Sequence, residues 1–91
     1  MKIRLDEIVF LKAEHVYVEV HTRDEKKYLI RKSLTHLTER LPAQFYRSHR
    51  SYTINLDHLE AINSTYIIAG PHQIPIGKNY REALLKRLPI E

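Results

Sequence analysis

Short apolar runs fill most of this chain, and polar turns separate them. The first predicted strand covers residues 6–11, and residues 12–15 form a polar connection after it. Residues 16–21 alternate between apolar and polar, so the three valines should face inward and the tyrosine, glutamate and histidine outward. Residues 27–31 follow a charged turn and are predicted to be the third strand. Residues 6–31 therefore indicate an antiparallel meander.

Two short helices are predicted at places where the apolar period changes. Ser33 is a suitable N-cap for the first helix, which Pro42 ends. Asn79 is the expected N-cap of the second helix, with Glu82 in the capping-box position and Pro89 closing it. The apolar positions are Leu34, Leu37 and Leu41 in the first helix and Tyr80, Leu84 and Leu88 in the second. Each helix should lay one stripe on a sheet.

The second half of the chain contains three further short strands. They are predicted at residues 59–62, 65–69 and 73–77, with turns between them. Pro75 lacks an amide hydrogen, so its strand must lie at a sheet edge or contain a bulge. Six or more strands and no crossover helix predict a mainly β, antiparallel fold with two short helices. The length of 91 residues predicts one domain, residues 1–91.

Residues 45–56 depart from the ordinary pattern of a half-buried strand. They begin with aromatic residues and end with aliphatic ones, and between these lie two arginines, a histidine and two serines without any acid. A period of two places Tyr46, Ser48, Arg50 and Tyr52 on one face and Arg47, His49 and Ser51 on the other. Neither face is purely apolar. The planar fork of arginine suits a phosphate or the edge of guanine.

Composition and charge exclude some functional classes of protein but do not identify one. The chain has no cysteine, which excludes disulfides and thiolate metal sites, and its apolar runs are too short to span a bilayer. We therefore expect a cytoplasmic protein without a cofactor. The net charge is +4, and each half of the chain carries +2. This balance permits a polyanionic partner but does not require one.

At this point the motifs resemble a known family. The run at residues 45–56 is similar to the signature of the LytTR DNA-binding domain of bacterial transcriptional regulators: arginine, any residue, His-Arg-Ser-Tyr, two aliphatics and asparagine. Residues 7–13 with Tyr17 and Val18 resemble the family's first hairpin, and residues 74–81 its second signature. Thr53 departs from the pattern, because the family prefers an aliphatic residue there.

The resemblance implies an elongated stack of small antiparallel sheets that binds double-stranded DNA through loops inserted into successive major grooves. It implies base contacts for Arg50 and Lys78 and for a third region that includes Glu14, His15 and Tyr17. The residues that it places at phosphate are Ser51 and Arg81. It further implies two copies on direct-repeat sites and an upstream receiver or sensor domain.

Each of these residues also has a simpler interpretation. Arg50 and Lys78 could be solvated surface side chains, and His15 and Tyr17 could be ordinary outward residues of a strand. His49 is more consistent with a structural donor that holds the loop. Arg47 could turn inward to backbone carbonyls or outward to phosphate, and both options stay open. Asn79 could contact phosphate or support its loop.

Two other function classes were weighed. Ser48, His49, Ser51 and Asp57 could form a catalytic set, but neighbours on a strand point to opposite faces and no glycine-rich elbow accompanies them. The six histidines lack metal-ligand spacing, so no metal site and no enzyme is predicted. A β-rich protein-interaction module is the alternative function. Salt-sensitive binding to duplex DNA would separate it from the first interpretation.

Overall fold

The computed structural model describes residues 2–88, and in this range the chain forms eight strands and two helices. The strands are β1 (Ile8–Glu14), β2 (Tyr17–Thr22), β3 (Lys27–Ile30), β4 (Phe45–His49), β5 (Tyr52–Asn55), β6 (Ala61–Ile62), β7 (Tyr66–Ala69) and β8 (His72–Pro75). The helices are α1 (Leu34–Arg40) and α2 (Lys78–Arg87). The predicted mainly β class is confirmed. Pro89, the predicted end of the second helix, lies outside the described residues.

All strand pairs are antiparallel and form two sheets. One sheet has five strands in the order β3-β2-β1-β5-β4, and the other has three in the order β6-β7-β8. The predicted meander is confirmed as β1, β2 and β3. The described residues extend over 40 × 25 × 21 Å, which agrees with an elongated stack. Pro75 lies on β8, an edge strand of the smaller sheet, as its missing amide hydrogen requires.

The five-stranded sheet is apolar on both faces. On one face α1 covers a cluster that includes Leu11, Val18 and Val20, and on the other the smaller sheet and α2 cover Phe10 and Ile54. A β-bulge between residues 8 and 10 lets two consecutive residues of β1 face the smaller sheet. Each fully buried apolar side chain stabilises the fold by about 1.5–3 kcal/mol.

The first hairpin differs from its predicted limits. Residues 5–7 form a short 3-10 turn, so β1 starts at Ile8, and it continues through the residues predicted to be a connection. Pairing of Lys12 with Glu19 and of Glu14 with Tyr17 extends the ladder and leaves a turn of only two residues. Val16, predicted to face inward, lies in this turn and is 56% exposed. That prediction was wrong because the turn comes later than the polar residues indicate.

Residues 45–56 form a hairpin and not one strand with constant faces. β4 and β5 pair from Phe45 with Asn55 to His49 with Tyr52, and Arg50 and Ser51 make the turn. The predicted face shared by Tyr46, Ser48, Arg50 and Tyr52 is therefore wrong as a single surface. A β-bulge at Ser48 changes the register further.

Of the two predicted N-cap residues, one caps its helix and the other does not. Ser33 caps α1, because its hydroxyl accepts the His36 amide at 3.0 Å. Asn79 does not cap α2, since the helix begins at Lys78 with Gly77 as its N-cap and without a side-chain capping bond. The Gly77 amide donates to the Ser48 carbonyl at 2.7 Å, which fixes the chain just before the helix. The helix consequently starts earlier than the capping-box pattern predicts.

Thr53 has a buried partner that accounts for a hydroxyl at this position. Its Oγ1 lies 2.7 Å from Oγ1 of Thr38, and the Thr38 hydroxyl also lies 2.7 Å from the Leu34 carbonyl. Thr53 is fully buried on β5. The pair thus joins α1 to β5, the strand next to the edge strand β4 of the five-stranded sheet.

This geometry predicts unequal costs for removing the two hydroxyls. Thr38→Val should lower the free energy of unfolding by about 1–3 kcal/mol, because it leaves the buried Thr53 hydroxyl without its partner on α1. Thr53→Val should cost less than about 1 kcal/mol, since Thr38 keeps its bond to Leu34. Urea denaturation of both variants and of the double variant measures this asymmetry. Equal losses in the two single variants would contradict it.

Candidate nucleic-acid interface

Three segments lie next to one another along one side of the molecule. They are the β1–β2 turn, the β4–β5 turn and the start of α2. The Ala13 amide donates to the Ser51 carbonyl at 2.8 Å, which ties the first turn to the second. The Gly77 amide donates to the Ser48 carbonyl at 2.7 Å, which ties the second to the helix. Main-chain bonds therefore hold together all three regions that sequence analysis singled out.

Arg47 turns inward beneath the β4–β5 turn. Its Nε donates to the His49 carbonyl at 3.0 Å, and its Nη2 donates to the Arg50 carbonyl. Its Nη1 donates to Thr35 Oγ1 on α1 at 3.1 Å. Of the two orientations considered for Arg47, inward to backbone carbonyls or outward to phosphate, the guanidinium takes the inward one. It connects the turn to the first helix. Thr35 was missed in the sequence, where nothing links it to residue 47.

His49 also serves the turn itself. Its Nδ1 accepts the Ser51 amide at 3.0 Å, and its ring meets the Tyr52 ring edge-on at 5.6 Å between centroids. The imidazole therefore acts as an acceptor for the loop, whereas sequence analysis expected a donor. Ser51 itself is half-buried between His49 and the Ala13 amide.

The side chains of Arg50, Lys78 and Arg81 are exposed, and none makes a hydrogen bond or ion pair within residues 2–88. Asn79 is exposed as well in the first turn of α2. The first-turn amides of an α-helix have no intrahelical partner, so they attract anions. Donors without partners thus converge on one side of the protein.

The β1–β2 turn adds both charge signs to this surface. His15 adopts φ 55°, in the left-handed region, and its side chain is 87% exposed. Glu14 lies 3.5 Å from Lys12 Nζ and 3.8 Å from His15 Nε2, and Tyr17 is exposed beyond it. Lys12, predicted to lie in a connection, belongs to β1 and is a cation beside this turn.

Lys12 stays charged in this position. The Coulombic interaction with Tyr52 makes the largest contribution to the raised pKa of Lys12. Partial desolvation lowers this pKa, and the neighbouring Glu14 carboxylate raises it. Its ammonium also lies 6.0 Å from the centre of the Tyr52 ring. Together with Arg50, Lys78 and Arg81 it adds a fourth cation to the three segments, which also carry the acids Glu14 and Glu82.

The catalytic alternative is not assembled. Ser48 Oγ is directed to the Pro75 carbonyl at 3.3 Å, while His49 Nδ1 faces the Ser51 amide. The part of the chain that the structure describes holds no group of three or more histidine, cysteine or acidic side chains arranged for a metal. Neither helix in the described range is long and apolar enough to cross a membrane.

Comparison with known proteins agrees with the fold and the motif. The chain belongs to the LytTr DNA-binding domain family, whose model matches residues 1–89. It is 33% identical to sensory transduction protein LytT of Bacillus anthracis over 97% of this chain and 38% of that protein. It is 32% identical to an uncharacterised response regulatory protein of Vibrio cholerae over 70% of this chain and 26% of that one.

The solved LytTr DNA-binding domain of a response regulator from Bacillus cereus has the same fold. It superposes with a TM-score of 0.89 at 24% identity and covers 99% of this chain and 88% of that chain. The family resemblance read from the motifs is confirmed. The chain spans about two fifths of the length of LytT, with which it aligns almost completely.

The strained turn allows a matched test of stability. His15 (φ 55°) and Glu25 (φ 64°) are both non-glycine residues in the left-handed region, and only His15 lies at the candidate interface. His15→Gly and Glu25→Gly should each raise the free energy of unfolding by up to about 1 kcal/mol, because glycine adopts this conformation without steric cost. Chemical denaturation measures the change. A loss of stability in the His15 variant would show that its side chain stabilises the turn.

Proposed function

We propose that this chain is the output domain of a bacterial transcriptional regulator and binds duplex DNA sequence-specifically. Loops inserted into successive major grooves make the contacts, and no recognition helix is used. The observation that carries the proposal is that Arg50 and Lys78, exposed and without a hydrogen-bond or ion-pair partner among residues 2–88, lie on two segments joined by the Gly77–Ser48 hydrogen bond. Such a protein works in the cytoplasm, where its DNA lies.

The chemistry of the free groups fits the edges of base pairs. Arg50 can donate two parallel hydrogen bonds to guanine, and Lys78 can donate to the same acceptors. In the β1–β2 turn, Glu14 can accept from the amino group of cytosine, with His15 and Tyr17 beside it. A carboxylate would be unfavourable against phosphate, so a base edge suits Glu14 better.

A second group of residues orients the protein on the DNA backbone. At the start of α2, phosphate is bound by Arg81, Asn79 and the first amides of the helix. At the β4–β5 turn, it is bound by Ser51. Arg47 and His49 support the turn from inside and do not reach the DNA. Contacts to phosphate carry no sequence information, so these residues should set affinity and register only.

Leu29 supports the alternative function. It lies on β3, an edge strand of the five-stranded sheet, and is 55% exposed. An edge strand can accept a strand from another protein. Such an interaction module would bury β3 and would leave Arg50 and Lys78 in water. Duplex binding that falls with salt separates the two functions.

The division into base and phosphate contacts can be tested with three arginines. Arg50→Ala should weaken binding to the best duplex by about 1–3 kcal/mol and relax the preference at one base pair. Arg81→Ala should weaken binding to all sequences and reduce the salt slope by about 0.9. Arg23→Ala, at an exposed arginine in the β2–β3 turn, is the control and should change neither.

Selection from random duplexes followed by titration at several salt concentrations measures these effects. If Arg50→Ala kept both the affinity and the sequence preference, its assignment as a base contact would be wrong. If wild-type protein selected no sequence at all, the proposed function itself would be wrong.

We further propose that two copies occupy a direct repeat. A domain of net charge +4 with three contacting segments neutralises few phosphates, so one copy should give a salt slope of only about −3 to −6. A single copy with so few contacts would bind too weakly to occupy one site among the many competing sites of a genome. An upstream receiver or sensor domain would supply the signal that controls this binding.

The spacing of the repeats should show this arrangement directly. Two copies on the same face of the duplex need half-sites about 10–10.5 bp apart, or a multiple of that distance. We expect tight 2:1 binding at whole helical turns and weaker binding when the spacing is changed by half a turn. Sedimentation and titration on duplexes lengthened in five-base-pair steps measure it. Equal affinity at every spacing, or a stable dimer without DNA, would contradict the arrangement.

A further inference from the structure

Ser48 occupies the position at which the family signature accepts any residue, and the proposed function gives it no role. On β4, Arg47 pairs with Thr53 and His49 pairs with Tyr52, so the residue between them has no partner on β5. Ser48 is this extra residue, and it is completely buried. A bulge residue is free to direct its polar groups away from its own ladder. Here they face the smaller sheet and the start of α2.

Two hydrogen bonds cross from Ser48 to that neighbour. The Ser48 carbonyl accepts the Gly77 amide at 2.7 Å, and the Ser48 hydroxyl donates to the Pro75 carbonyl at 3.3 Å. They connect the edge of the five-stranded sheet to the segment between β8 and α2. We call residues 48 and 75–77 the bulge joint.

Gly77 makes the approach at this joint close. A Cβ at this position would lie 3.0 Å from Cδ2 of Tyr80 and 3.5 Å from Cα of His49. Its φ of −73° is open to any residue, so the glycine is required by space and not by conformation. A side chain larger than glycine at residue 77 therefore fits only if the Tyr80 ring moves by a few tenths of an ångström.

The joint lies between the two proposed base-contacting groups. Arg50 follows Ser48 by two residues, and Lys78 directly follows Gly77. We infer that Ser48 is a positioning residue that fixes the spacing between Arg50 and Lys78, so that both groups read DNA in one register. This inference rests on the proposed function. It adds that sequence preference depends on a buried residue that touches no DNA.

The spacing can be measured first without DNA. The chain has no cysteine, so Arg50→Cys and Lys78→Cys can carry a pair of spin labels without background. Wild-type Ser48 should give a narrow distribution of distances. Ser48→Val, which forces two methyl groups into the joint, should broaden or shift it. Ser48→Ala keeps the Gly77 bond and should resemble wild type, and Ser64→Val in the exposed β6–β7 turn controls for added bulk.

The decisive measurement is selection from random duplexes. Lys78→Ala and Arg50→Ala first identify the base pairs that each side chain reads. Ser48→Val in the otherwise native chain should then reduce the preference at the Lys78 positions relative to the Arg50 positions by about fivefold or more, the lower limit for one good base contact. A merely structural loss would weaken all positions together.

The outcomes separate the two proposals. Unchanged preferences in Ser48→Val, with wild-type protein selecting a clear motif, would overturn this inference alone. The absence of any motif with wild-type protein would overturn the proposed function and this inference with it. Thermal unfolding shows whether Ser48→Val is folded. If it is not, Gly77→Ala replaces it and is judged by the same criteria. The backbone conformation of residue 77 accepts alanine, and only the contact with Tyr80 must give way.

Discussion

The pairing of β1 with β5 is the constraint on which the rest of this structure depends. Each strand belongs to a separate hairpin unit, and the registers Phe10 with Ile54 and Lys12 with Tyr52 join the two units into one five-stranded sheet. The joined sheet is apolar on both faces, so it needs α1 on one side and the smaller sheet with α2 on the other. The same pairing places the β1–β2 turn beside the β4–β5 turn. Core formation and the geometry of the interface therefore have one cause.

The β4–β5 turn of the proposed interface is built mostly from side chains that support the scaffold. Of the run from Arg47 to Ser51, the first three side chains serve the scaffold: the guanidinium braces the turn, the serine forms the bulge joint, and the imidazole accepts a turn amide. Arg50 alone is exposed and without a partner in the described structure. A loop normally loses conformational freedom when it binds, at a cost in affinity. A turn held from inside has already lost that freedom, so the proposed binding through short loops would carry a smaller entropic cost.

Local sequence patterns predicted those features that depend on neighbouring residues. The inward positions of Val18 and Val20 in β2, the Ser33 cap and the edge position of Pro75 each follow from a few adjacent residues, and each is confirmed. Glu19 and His21 were predicted to face outward, but their side chains are only 13% and 20% exposed, and His21 stacks on Phe10. The family resemblance, carried by the motifs, is confirmed as well. The assigned DNA contacts of Arg50, Lys78 and the β1–β2 turn stay predictions. The late position of that turn escaped prediction because it is set by pairing across the hairpin.

Other features depend on partners far away in the chain. The inward orientation of Arg47 needs Thr35 on α1, and the early start of α2 needs Ser48, 29 positions before Gly77. The capping-box pattern at Asn79 is a valid local signal, but this distant bond defines the helix start instead. Bulges at residues 8–10 and at Ser48 break the period of two, and no local rule places them. Sequence alone therefore singled out the motif residues but could not show which of them support the turn and which stay exposed.

The central claim is that three segments held side by side form one DNA-binding surface. Amide chemical shifts of isotope-labelled protein, followed during titration with its selected duplex, test it most directly. The account predicts large changes at residues 14–17, 50–51 and 77–81, and little change along β3 or in the β6–β7 turn. Changes concentrated on the open edge of β3 around Leu29, with the three segments unaffected, would contradict it.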